Sequence, residues 1–144
     1  MKIAVVNGPN LNWLGRRETK IYGKQSWSEI WEMLQNSASP RDIQLTYFQS
    51  NHEGALIDFL QQNDDQCDGV VFNPAGYTHT SVALRDCVAA LSVPVIEVHL
   101  SKINRREDFR KISLLSDVVF ATISGLGSQG YLLAMHTLAN SLKI

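Results

Sequence analysis

Met1-Lys2-Ile3-Ala4-Val5-Val6-Asn7-Gly8-Pro9-Asn10 opens the chain, and the reading of this stretch decides the fold. Ile3–Asn7 is a short β-branched run without polar alternation, the pattern of a parallel strand buried on both faces. Gly8 and Pro9 then stop it with two turn formers. The same unit recurs: Gln44–Phe48, Gly69–Asn73, Val93–Val98 and Val118–Ile123 have the length and composition of buried parallel strands. Helical periodicities lie between them. Ser26 with Glu29 forms a capping box ahead of Trp27, Ile30, Trp31 and Leu34, and Ser50 with Glu53 forms a second ahead of Leu56, Phe59 and Leu60. Leu84, Cys87, Val88 and Leu91 make a third apolar stripe, and Tyr131, Ala134, Leu138 and Leu142 make the last.

Strand–helix alternation on this scale predicts an α/β protein with a parallel sheet covered on both faces. The expected architecture is a flavodoxin-like three-layer sandwich with a five-stranded sheet in the order 2-1-3-4-5. A chain of 144 residues suits one domain, 1–144, with enough apolar content (44%) to bury a core without staples. Thirteen Lys and Arg against fourteen Asp and Glu give a net charge of −1, which disfavours a basic nucleic-acid face or a polybasic membrane contact. No apolar run is long enough to span a bilayer, and the opening run is too brief for a signal peptide. Cys67 and Cys87 form no CxxC and read as reduced apolar side chains, so the expectation is a cytoplasmic protein.

In open α/β sheets the ligand lies beyond the carboxyl ends of the strands, near the point where strand order reverses. Each strand here ends by turning polar. Turn and cap chemistry accounts for Gly8, Pro9, Ser50 and Thr80, but poorly for Glu97 and His99, two apart and so on one face of the fourth strand. A buried carboxylate and imidazole need partners. The Glu would hold the His tautomer and leave its other nitrogen to give or take a proton. The second feature is Gly15-Arg16-Arg17-Glu18-Thr19-Lys20-Ile21-Tyr22-Gly23, a charged loop bracketed by glycines and suited to a mobile lid. A guanidinium beside a phenol favours the phenolate, which makes Tyr22 a candidate general base.

Other motifs lead away from a site. Gly125-Leu126-Gly127-Ser128-Gln129-Gly130 spells GxGxxG, but that fingerprint belongs on the first strand of a βαβ unit, so tight backbone packing is the better reading. The four histidines share no zinc spacing, so no metal is expected. His52 reads as a helix-start residue and His136 as structural or surface. Arg105-Arg106-Glu107-Asp108 reads as a solvated helical face, with only Arg110 turned toward the end of the fourth strand.

The residues at the strand ends carry a resemblance. Asn7-Gly8-Pro9-Asn10-Leu11, Gly15-Arg16-Arg17-Glu18 with Tyr22-Gly23, Gln49-Ser50-Asn51-His52-Glu53-Gly54, Asn73 through Asp86, Pro94 through Ser101, and the Gly125–Leu133 segment together resemble type II 3-dehydroquinate dehydratase. The resemblance implies a lyase that converts 3-dehydroquinate to 3-dehydroshikimate, in the shikimate pathway or in quinate breakdown. It implies anti elimination through an enolate, with no metal, cofactor or Schiff-base lysine. Residue by residue, it makes Tyr22 the base at C2 and Arg17 the lid arginine beside it. His99 becomes the acid that protonates the departing C1 hydroxyl, Glu97 its orienting carboxylate, and Asn10 the holder of a water against the enolate oxygen. Asn73, Leu100 and Ser101 fall around the substrate carboxylate and C1 hydroxyl, His79 and Arg110 at the ring hydroxyls. Asp86 is implied to reach a neighbouring subunit's site in a dodecamer built from trimers.

The chain departs from the family pattern at Thr19, where proline is usual, at Lys102-Ile103-Asn104-Arg105-Arg106, and at Ile112-Ser113-Leu114 in place of His-Ser-Tyr. These touch lid stiffness, the placement of Arg110 and subunit contacts rather than a matched catalytic residue. Two rival readings make different predictions. A nucleotide- or flavin-binding module of this fold predicts bound cofactor absorbance, and a drifted family member predicts ligand binding without turnover.

Overall fold

A computed structural model describes residues 1–16 and 18–141. Arg17 and Leu142, both named above, lie outside the described residues. The strands are β1 (Lys2–Asn7), β2 (Gln44–Gln49), β3 (Gly69–Asn73), β4 (Val95–His99) and β5 (Ala121–Ser124). The helices are α1 (Thr19–Tyr22), α2 (Trp27–Ala38), α3 (Glu53–Asn63), α4 (Val82–Ala90) and α5 (Gln129–Ser141). All strand pairs are parallel and the order is β2-β1-β3-β4-β5, as expected from the alternation. Side chains alternate across the sheet. Ile3, Val5, Val71, Ile96 and Val98 meet α2 and α5 through Ile30, Leu34, Tyr131 and Leu138. Ala4, Val6, Val70, Phe72 and Val95 meet α3 and α4 through Leu56, Leu60, Leu84 and Val88. Glu97 and His99 share the parity of Val95, so they point to the second face.

The capping box at α2 forms: the Ser26 backbone N–H donates to Glu29 Oε2 at 2.7 Å and Glu29 N–H donates to Ser26 Oγ at 3.3 Å. The second expected box does not. Ser50 Oγ accepts from the His52 N–H at 3.0 Å, a local turn that delays the helix start, and His52 occupies the N-cap without a side-chain cap. Two strand starts also move. β4 begins at Val95 rather than Val93 because the Ser92 and Val93 amides are taken by Asp64 Oδ1 and Pro94 has no N–H to give. β5 begins at Ala121 rather than Val118, because the Val118 and Val119 amides turn back onto the Leu115 carbonyl. The bracketed segment expected as a loop carries one helical turn, Thr19–Tyr22.

Candidate active site

The chain leaves β1 pressed against β3. Gly8 N–H donates to the Asn73 carbonyl at 2.7 Å, and a Cβ at Gly8 would sit 2.5 Å from the Pro74 carbonyl oxygen, so no larger residue fits. Two residues on, Asn10 adopts a left-handed backbone (φ 68°), which asparagine tolerates better than most residues. Its N–H donates to Asn51 Oδ1 at 2.9 Å, and the Asn51 carbonyl accepts from the Tyr77 hydroxyl at 2.9 Å. The Gln49–Glu53 motif therefore braces the Asn10 turn.

At the end of β4, Glu97 is fully buried and His99 is 5% exposed. His99 Nε2 lies 2.7 Å from Glu97 Oε1, which leaves Nδ1 as the ring nitrogen that Glu97 does not hold. Glu97 also accepts from the Thr78 hydroxyl, from Ser113 Oγ at 2.8 and 2.9 Å, and from Thr122 Oγ1 at 3.3 Å. Burial pushes the Glu97 carboxyl up, but the His99 bond and charge and the Thr78 and Ser113 bonds outweigh it and hold the group below its ordinary value. A carboxylate with this many donors is satisfied in its ionised form. Glu97 and His99, two apart on one face of β4, are thus in direct contact.

His79 Nδ1 lies 2.7 Å from the Ile112 carbonyl, which can only accept, so Nδ1 carries the proton. That bond runs to main chain, so it does not depend on the side chain at position 112. Burial pushes the His79 imidazole down, with the Ile112 bond opposing and the charges of His99 and Arg110 adding to the fall.

Tyr22 closes the cavity from α1. Its hydroxyl accepts from Arg106 Nη1 at 2.7 Å, and the same guanidinium lies 5.2 Å from the ring centroid. Arg106 is thus not part of a solvated helical face, as its neighbourhood suggested. Its side chain is only 12% exposed, and the segment folds as two short 3-10 turns, Ile103–Arg105 and Asp108–Arg110, that turn Arg106 and Arg110 inward. Glu107 Oε2 lies 3.7 Å from Arg106 Nε and 3.0 Å from Arg110 Nε and fixes the two relative to each other.

These groups share one cavity of about 110 Å³ over the carboxyl ends of β1, β3 and β4, at the reversal of strand order. Its lining brings together Asn10, Tyr22, Asn73, His79, His99, Ser101 and Arg110, with Leu100 beside them; Arg106 is the charged residue added to those expected. Glu97 stands behind His99. Asp86 is not in the lining; its side chain is exposed and lies 3.4 Å from Arg85. Two guanidiniums in so small a space call for an anionic ligand. A phenol held by a guanidinium and an imidazole held by a carboxylate equip it for proton removal and proton delivery. Arg106 was missed because its charged neighbours resemble a surface; the signal that points to it is its place just after the end of β4. Thr78 and Ser113 were missed as well, although a buried Glu97 demands donors.

The GxGxxG segment is structural, as expected. A Cβ at Gly125 would meet Lys102 Cγ at 2.4 Å, and the Gly125 and Gly127 amides donate to the His99 and Leu100 carbonyls at 3.2 and 3.0 Å. Among the described residues no group of three or more His, Cys, Asp or Glu is placed to hold a metal, and no helix is long and apolar enough to cross a membrane.

Comparison with known proteins gives a single direction. The 3-dehydroquinate dehydratase of Halothermothrix orenii is 46% identical over 142 residues, covering 99% of this chain and 96% of that protein. That of Desulforudis audaxviator is 52% identical over 136 residues, with 94% and 91% covered. The crystal structure of type II dehydroquinase from Butyrivibrio crossotus superposes with a TM-score of 0.94 at 45% identity, covering 96% of this chain and 97% of that one. The family model described as dehydroquinase class II matches residues 1–139, and on these grounds the chain belongs to that family.

Proposed function

We propose that the cavity dehydrates 3-dehydroquinate to 3-dehydroshikimate by anti elimination, with Tyr22 as base and His99 as general acid. The reaction follows from family membership, and it makes the chain a hydro-lyase of the shikimate pathway. The observation that carries the division of labour is that the Tyr22 hydroxyl and the Glu97-supported His99 line one cavity from two different elements.

The C2–H bond beside the C3 ketone is a weak acid, so its removal needs an activated base and a stabilised enolate. Tyr22, whose hydroxyl oxygen accepts from the Arg106 guanidinium, acts as the base that takes the C2 proton, and the electron pair moves onto the ketone oxygen as an enolate. Asn10 is read as holding a water against that oxygen. The enolate then collapses to form the C1–C2 double bond while His99 gives a proton to the C1 hydroxyl, which leaves as water. Asn73, Ser101 and the Leu100–Ser101 backbone are read as holding the carboxylate and the C1 hydroxyl, and His79 and Arg110 the ring hydroxyls. Arg17, the lid arginine by resemblance, would close over the ring. Asp86, exposed and outside this cavity, is read as serving a neighbouring subunit in a dodecamer of trimers, and the whole chain, 1–144, as one catalytic domain.

The test is direct. Purified protein mixed with 3-dehydroquinate should show the rising ultraviolet absorbance of the conjugated enone, and prior borohydride treatment should leave the rate intact. A wild-type trace that stays flat removes the dehydratase reading.

A further inference from the structure

The residue after the GxGxxG segment, Tyr131 in the first turn of α5, is fully buried yet carries a hydroxyl that must be satisfied. It is satisfied between two strands. Tyr131 OH donates to Asn7 Oδ1 at 2.7 Å and accepts from Asn73 Nδ2 at 2.9 Å. Asn7 and Asn73 are register partners at the carboxyl ends of β1 and β3, so the phenol bridges the two strands at the floor of the cavity. A hydroxyl has one proton. Spent on Asn7, it leaves Tyr131 only acceptor capacity for Asn73, and the Asn73 amide must therefore present its NH2. The same orientation lets Asn73 Oδ1 accept from the Ala75 N–H at 3.1 Å, which holds Ala75 at φ 54° in the cavity wall. With one N–H given to Tyr131 and the oxygen given to Ala75, Asn73 keeps a single N–H for a ligand.

We propose that Tyr131 is a positioning residue: acting through Asn73, its buried hydroxyl makes that wall of the cavity a hydrogen-bond donor matched to an acceptor oxygen of the substrate, its carboxylate or C1 hydroxyl. This rests on the dehydratase reading, in which Asn73 meets that part of 3-dehydroquinate. The neighbouring glycines hold the opposite side of the same cradle through the His99 and Leu100 carbonyls, so one segment sets both sides. Tyr131 touches no reacting atom. Its contribution is made in the bound ground state as well as the transition state, so it is felt in KM rather than kcat.

The experiment is steady-state kinetics with 3-dehydroquinate on the wild type, Tyr131→Phe, Asn73→Ala and the double variant. Tyr131→Phe should raise KM about tenfold, the size of one lost hydrogen bond to a charged group, with kcat within about threefold of wild type. The double variant should match Asn73→Ala alone, because the two act as one unit. Asn7→Leu, which removes the acceptor that orients the phenol, should raise KM in the same way and provides the reading if Tyr131→Phe does not fold. An unchanged KM in the folded variant, or effects of Tyr131→Phe and Asn73→Ala that multiply, overturns the proposal while leaving the dehydratase reading standing. A wild type without turnover overturns that reading and this proposal with it.

Discussion

The two sides of the cavity proposed to deliver and to remove a proton, the acid side at His99 and the base side at Tyr22, are built in opposite ways. The acid side is cross-tied: Glu97, near the carboxyl end of β4, takes hydrogen bonds from His99, Thr78, Ser113 and Thr122, which come from four separate stretches of chain. The base side is a single helical turn bracketed by Gly15 and Gly23 in left-handed backbone, with Tyr22 half-buried and held by the Arg106 guanidinium. Rigid elements hold a group to a geometry, whereas surface turns open and close. The acid side is therefore part of the fold, and the base side rests on a surface turn. Substitutions on the acid side should cost stability and activity together, and those on the base side activity alone.

Tyr22→Phe should have the largest effect, a fall in kcat of about 10²- to 10⁴-fold with an unchanged melting temperature, since general-base catalysis is lost and no core contact is. A melting temperature several degrees lower would break the comparison. Glu97→Gln should lower kcat by about tenfold or more and also destabilise the protein, because Gln turns an N–H toward donors that now lack an acceptor. Its pH dependence sharpens the point. A Glu97 carboxyl held below its ordinary value stabilises the fold above the ordinary carboxylate range and loses that contribution as pH falls through the lowered value. Thermal melts of wild type should decline below about pH 5, and the Glu97→Gln curve should be flatter there. His79 and His136, both pushed down chiefly by burial, weaken the fold at a higher pH, from about 6.5 downward, in wild type and variant alike.

Arg106→Lys is the corresponding change on the base side. Lysine keeps the charge but not the planar donor pair, so kcat should fall about tenfold with little change in melting temperature. Ser113→Ala gives the smallest effect: one of several donors to Glu97 is lost, worth about 1.5–3 kcal/mol of stability by chemical denaturation, and His99 keeps its partner. Equal stability losses from Arg106→Lys and Ser113→Ala would erase the distinction between surface turn and scaffold.

The distinction also explains what could be read before the structure. The strands and the Glu97–His99 pair follow from local pattern: β-branched runs, parity along a strand, and the cost of burying a charge. The Asn51 brace on Asn10 and the Tyr131 link to Asn73 do not, because they join residues 41 and 58 positions apart through single hydrogen bonds. Arg106 was hidden for a further reason. Arginine, glutamate and aspartate in succession have the composition of a solvated surface, and only the fold of the Ile103–Arg110 segment turns one guanidinium onto a phenol. The misplaced strand starts have the same origin, in amides captured by Asp64 and Leu115 rather than by the sheet.

The central claim is that the Tyr22 phenol group and the His99 imidazole act on opposite faces of one ring, and stereospecific labelling tests it most directly. 3-Dehydroquinate deuterated at C2 on the face opposite the C1 hydroxyl should give product without deuterium, read by mass spectrometry. Deuterium retained in 3-dehydroshikimate would mean removal from the same face and would contradict the assignment of base and acid to opposite sides.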